Sequence, residues 1–275
     1  RMANSRYEWK IGEALPELGE HSLAKHEILD RYLRRYIEIC TATPVQEKLS
    51  LTIVDGYAGG GRYQIGADQS PGSPIILLTA IAEMEELLNR NRPKGFEIQT
   101  EFVFVDSEPL HTDFLRSEIS ASSFASELDK TIKIWTGDFN ELVDDVITIA
   151  AHRNRKGRSI FILDQFGWAS VTFQSVRKIL NSLEKAEIFL TFMVDSLIDY
   201  LTEQRIDSDG YQAIGLNGGK VRELLSTKQQ DKAWRAIIQN GLYSHLQQST
   251  GAEFYSPFFI HSRKAVTLPP LFPRL

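Results

Sequence analysis

Cysteine is almost missing: Cys40 stands alone in 275 residues. It has no partner for an intramolecular disulfide, and no Cys-rich metal motif exists. Six histidines, at 21, 26, 111, 152, 245 and 261, are scattered without the paired spacing of a metal site. No apolar run nears the ~18 residues of a membrane span, and the polar N-terminal stretch lacks a signal-peptide core. There is no Gly-x-Ser-x-Gly elbow and no P-loop: Arg62-Tyr63 follows the glycine-rich stretch, and Gly219-Lys220 runs on to Val221. Positive charge is not in excess either. The 36 acidic and 31 basic side chains give −5, which excludes a basic coat over the whole protein but not a local basic face. These absences argue against a disulfide-rich scaffold, a metalloenzyme, a serine hydrolase, a nuclease and an NTPase. A soluble cytoplasmic protein is expected, with no membrane partner and no bound metal.

What is present is ordinary globular material, 42% apolar and 24% charged. From Ser22 the apolar positions Leu23, His26, Ile28, Leu29, Leu33, Tyr36 and Ile37 recur at helical spacing, with Lys25, Arg31, Arg34 and Arg35 on the same segment. Short apolar runs at 51–54, 101–105, 131–135, 159–163 and 188–192 then alternate with amphipathic stretches at 73–88, near 114–119, near 142–149 and at 173–183. That alternation predicts βαβ units and an α/β, doubly wound, mostly parallel sheet. Too few repeats are present for an eight-stranded barrel. Residues 197–248 read as a helical insertion, 253–263 return to a β pattern, and 266–275 are too rich in proline for a central strand. The expected organisation is a helical extension over 1–45, a Rossmann-like domain over 46–265, and an irregular tail over 266–275.

Acidic residues close four of the five strand patterns: Asp55, Asp106, Asp138 and Asp164. In open parallel sheets ligands bind at the carboxyl ends of strands, where acids accept hydrogen bonds from ribose hydroxyls or an adenine amine. Each aspartate alone also fits a helix cap. The first opens the turn Asp55-Gly-Tyr-Ala-Gly59-Gly-Gly61, which reads D-x-x-x-G-x-G and not the dinucleotide G-x-G-x-x-G. Its glycines let backbone and ligand approach closely. A glycine turn without a phosphate clamp, followed by strand-end acids, suits S-adenosylmethionine, which has a ribose diol and an adenine amine but no phosphate. Asp164-Gln-Phe-Gly-Trp168 stands where methyltransferases acting on amino groups carry a reactive loop, pairing a polar acceptor with an aromatic. Such transfer needs positioning and electrostatics, with no covalent intermediate. The same five residues also fit a plain turn packed by Phe166 and Trp168.

Four motifs together carry a resemblance. Lys25-His26 with Tyr32-Leu33, the run Val54 to Tyr63, Gly72-Ser73-Pro74 and Leu163 to Trp168 resemble the three-Cys-motif partner protein (TcmP) family, over about residues 20 to 265. The resemblance implies a class I methyltransferase-type Rossmann fold, similar to enzymes that methylate adenine in ribosomal RNA, and a nucleic-acid substrate. It implies S-adenosylmethionine as cofactor, held by Asp55, Gly59, Gly61, Asp106 and Asp138. Asp164 and Phe166 become the catalytic candidates, and Lys25, His26 and Trp168 the substrate-binding ones. A neighbouring three-Cys-motif protein, itself resembling radical S-adenosylmethionine proteins, is the implied partner, and a non-catalytic scaffold for it is the alternative function. Two departures stand out. Gln165 takes the usual place of proline, so a looser loop is expected, and the prolines after Leu268 replace an expected seventh strand and winged helix.

Overall fold

The computed structural model describes residues 7–43, 45–90, 92, 94–152, 157–205, 208–230 and 234–258. The chain divides into two compact units, Arg1–Gly137 with Ser256–Leu275, and Asp138–Tyr255. Five strands form one sheet, in the order β5 (Ile132–Thr136), β4 (Glu97–Asp106), β1 (Lys48–Asp55), β6 (Arg158–Leu163), β7 (Ala186–Leu190), with a separate two-stranded ribbon.

In the first unit, α1 (Glu20–Cys40) buries His26, Ile28, Leu29, Leu33, Tyr36 and Ile37, the stripe its periodicity predicts. It packs on α2 (Ser73–Arg90). Along the chain, β1 (Lys48–Asp55) and the ribbon of β2 (Arg62–Ile65) and β3 (Asp68–Pro71) come between them. The strand β4 (Glu97–Asp106) pairs in parallel with β1 and with β5 (Ile132–Thr136), and α3 (Pro109–Ser120) connects β4 to β5. Ile53, Val54, Val103, Phe104 and Val105 are fully enclosed, as expected of strands covered on both faces. Each such side chain contributes about 1.5–3 kcal/mol.

The second unit begins with α4 (Phe139–His152) and continues through β6 (Arg158–Leu163), α5 (Phe173–Ser182) and β7 (Ala186–Leu190), with β6 and β7 parallel. Thr172 caps α5, its hydroxyl accepting from the Ser175 N–H at 3.0 Å. The predicted insertion is helical: α6 (Val194–Tyr200), α7 (Asp209–Ala213), α8 (Gly218–Gln230) and α9 (Trp234–Thr250). Leu197, Ile198, Tyr211, Ile214, Val221 and Ile238 form its fully buried core.

The fold is therefore α/β with a mostly parallel sheet between helices. The β2–β3 ribbon is an addition to the sequence reading. Its four-residue strands mix Arg62, Gln64, Asp68 and Gln69 with few apolar residues, so no period-two pattern announces them. At the other end, the β pattern from 253 is not taken up by residues 253–258, which form no strand. Residues 259–263, the tail 266–275 and the basic run 153–156 lie outside the described residues. No helix among the described residues is long and apolar enough to cross a membrane.

Candidate functional site

Chain order doubles back at β1, so its carboxyl end is the switch point where open α/β sheets bind ligands. Asp55 ends that strand fully buried, and its Oδ1 accepts the Tyr57 N–H at 3.1 Å, bending the chain into the glycine turn. The Ala58 N–H donates to the Val105 carbonyl, and the Gly59 N–H donates to Asp106 Oδ2 at 2.9 Å. Gly59 sits at φ +60°, where an L side chain is strained. Asp106 does more than end β4. Its Oδ1 also accepts the Glu108 N–H at 2.9 Å and lies 3.0 Å from Nδ1 of the buried His111. This carboxylate therefore ties the glycine turn to the head of α3. Predicted as a ribose acceptor, it has three protein donors of its own.

The face of the turn is covered. Trp9, only 3% exposed, lays its indole on the glycines. A Cβ on Gly60 would fall 2.3 Å from Trp9 Cγ, and one on Gly59 would fall 2.8 Å from its six-membered ring. The indole N–H donates to the Arg62 carbonyl at 2.6 Å. Edge-on contacts join this ring to His111 at 4.7 Å and to Tyr63 at 5.1 Å, and Tyr63 meets His26 at 5.7 Å. The close approach predicted for a ligand is made instead by the chain's own indole. With Trp9 there, Gly59 and Gly60 are covered by a flat heteroaromatic ring, while Asp55 and Asp106 hold the turn's own backbone.

In the second unit the loop after β6 is braced. Gln165 is buried; its Oε1 accepts the Val171 N–H at 2.9 Å and its Nε2 donates to the Thr191 carbonyl at 3.1 Å. The Gly167 carbonyl accepts the Met193 N–H, and Asn140 Nδ2 donates to the Ser170 carbonyl. The expectation that Gln165 loosens this loop is corrected, because its amide spans the loop as a strut. Half-buried Asp164 precedes it, and Phe166 follows with 66% of its surface exposed. Gly167, at φ +100°, turns the chain so that the next aromatic points elsewhere. Trp168 packs 5.7 Å from Tyr211 and close over Gly210, against the core of the helical insertion. Of the two aromatics, Trp168 follows the packing reading and Phe166 the presented one.

Asp138 is exposed and acts as a cap: its Oδ1 accepts the Asn140 N–H at 2.7 Å at the start of α4. Gly61 packs over Leu115 of α3. On α1, Lys25 is half-buried and His26 is buried toward Tyr63. The basic helix is charge-balanced. Arg31 pairs with Glu27, Arg34 with Asp30 and Glu83, and Arg35 with Glu38. The hydrogen bond that Arg34 donates to Asp30 raises the Arg34 pKa above its ordinary value, outweighing the opposing effect of burial, and Glu83 adds to the rise. Among the described residues, no group of three His, Cys, Asp or Glu side chains is placed to hold a metal ion. Trp9, His111 and Gln165 are the residues around these turns that the sequence pattern does not reveal, since their contacts are distant in sequence or depend on burial.

No family model and no curated protein sequence matches the chain. Solved structures include a Legionella pneumophila protein of the DUF519 family, 11% identical, with a TM-score of 0.35 over 59% of this chain and 61% of that one, less than two thirds of its length. Another is the plantazolicin methyltransferase BamL, in complex with a triazolic desmethylPZN analog and SAH. It is 12% identical, with a TM-score of 0.30 over 86% of this chain and 79% of that one.

Proposed function

We propose that this chain is an S-adenosylmethionine-dependent methyltransferase that acts on an amino group of a nucleic-acid base. Phe166 carries the reading: an exposed aromatic, held on a braced loop two residues after Asp164 at the carboxyl end of a parallel strand. A base taken out of its stack gains about 1–3 kcal/mol on such a ring. A carboxylate two residues along the same loop suits an exocyclic amine, which donates to it. The D-x-x-x-G-x-G turn at the end of β1 supports a nucleoside cofactor, provided that Trp9 leaves it.

The test is methyl transfer from labelled S-adenosylmethionine to unmodified RNA and DNA. Wild type should label one of them, while Asp164→Ala and Phe166→Ala should each lose at least a hundredfold with unchanged circular dichroism. Labelling that survives both substitutions would defeat the reading.

A second reading is favoured by the covered glycine turn: a non-catalytic Rossmann-type partner of a three-Cys-motif protein, with Trp9 as permanent filling. Under that reading no nucleic acid is labelled, and Asp164→Ala changes nothing.

A further inference from the structure

We infer that the segment through Trp9 is a displaceable plug: its indole holds the place of the nucleoside cofactor on Gly59 and Gly60, and the cofactor binds by expelling it. This rests on the methyltransferase reading. An indole and an adenine are both flat bicyclic heteroaromatics with an N–H donor. The Trp9 N–H is satisfied by the Arg62 carbonyl, an acceptor that an adenine amine in the same slot could use. The glycine backbone is shaped for such a ring, since a Cβ on Gly60 would meet Trp9 at 2.3 Å.

The attachment is the kind that releases. Between residues 7 and 15 the backbone bond found among the described residues is local, from the Glu13 N–H to the Lys10 carbonyl at 3.1 Å. The backbone joins the β2–β3 ribbon only from Pro16 on, where Gln64 donates to the Pro16 carbonyl and accepts the Leu18 N–H. Upstream of that point, side chains hold the segment: Trp9 on the turn, Tyr7 through its hydroxyl to Ser22 and Gly19, and Leu15 at the edge of the same cluster. Residues 10–14 are exposed, and Gly12 is at φ +84° with open space around it. Residues 7–15 can swing about Pro16 without breaking a strand pairing. Affinity for the cofactor is then lowered by the fraction of molecules in which the plug is open.

Calorimetric titration with S-adenosylhomocysteine tests this on the full chain. Trp9→Ala is expected to bind at least tenfold tighter than wild type. Binding by Trp9→Ala that is no tighter than that of wild type would overturn the plug and leave the methyltransferase reading standing. Absence of binding to either protein would overturn both. Should Trp9→Ala fail to fold, trypsin cleavage after Lys10 in wild type decides. Acceleration at saturating S-adenosylhomocysteine supports expulsion, and unchanged or slower cleavage overturns it.

Discussion

Replacing Gln165 by alanine tests whether the loop that presents Phe166 is rigid by construction. The side chain is 2% exposed and serves two backbone groups, the Val171 N–H at 2.9 Å and the Thr191 carbonyl at 3.1 Å. Val171 is itself 1% exposed, so its N–H cannot turn to water once the partner is gone. An orphaned buried donor costs about 1–3 kcal/mol, and losing the second hydrogen bond costs about 1 more. The emptied volume adds to this, as in other large-to-small substitutions in a core. Gln165→Ala should therefore destabilise the protein by about 3 kcal/mol. Gln165→Met, which keeps the volume and loses both bonds, should cost about 2 kcal/mol. Urea unfolding followed by tryptophan fluorescence gives both numbers, and hydrogen exchange at the Val171 amide should accelerate in parallel. A loss below about 0.5 kcal/mol for Gln165→Ala, the size of an ordinary surface change, would refute the strut.

The neighbouring aromatics should separate cleanly. Phe166→Ala should change stability by less than about 0.5 kcal/mol while abolishing nucleic-acid labelling, whereas Trp168→Ala should cost about 3–5 kcal/mol in the same unfolding assay. Asp106→Asn weakens a charge-assisted acceptor shared by Gly59, Glu108 and His111; the expected loss is about 2–3 kcal/mol, with faster exchange of the Gly59 amide. Gly59→Ala meets both an unfavourable φ and the indole, and should destabilise by about 2–4 kcal/mol on thermal unfolding. The balanced charges of α1 predict a shallow salt dependence of nucleic-acid affinity if the arginines there stay paired. A steep slope, near one unit of log K per phosphate contacted, would show that they change partners on binding.

How far the sequence could be read follows from where each signal resides. β1, β4 and β6 are covered on both faces, so they show as continuous apolar runs, and α1 buries one stripe, so its period is plain. The strand-end aspartates were legible as positions but not as partners. Asp106 holds Gly59 across 47 residues, and nothing local distinguishes that strut from a ribose acceptor. Gln165 reads as a polar loop residue; only its burial against Val171 and Thr191 makes it a brace. Phe166 and Trp168 are two positions apart, and the Gly167 turn sends one to solvent and the other to Tyr211. Trp9 was hidden most completely. It lies in a short, Gly- and Pro-punctuated stretch without periodicity, and its contacts reach to Arg62 and His111. The same glycines that signalled a ligand site also admit a side chain from the chain itself.

The central claim is that the carboxyl end of β1 holds a nucleoside cofactor. A crystal structure of the full chain grown with S-adenosylhomocysteine tests it most directly. The account predicts the ligand against Gly59 and Gly60, with the indole of Trp9 lifted away and the Gly59 N–H still on Asp106. Trp9 in place on the glycines, with S-adenosylhomocysteine bound elsewhere or not at all, would contradict it.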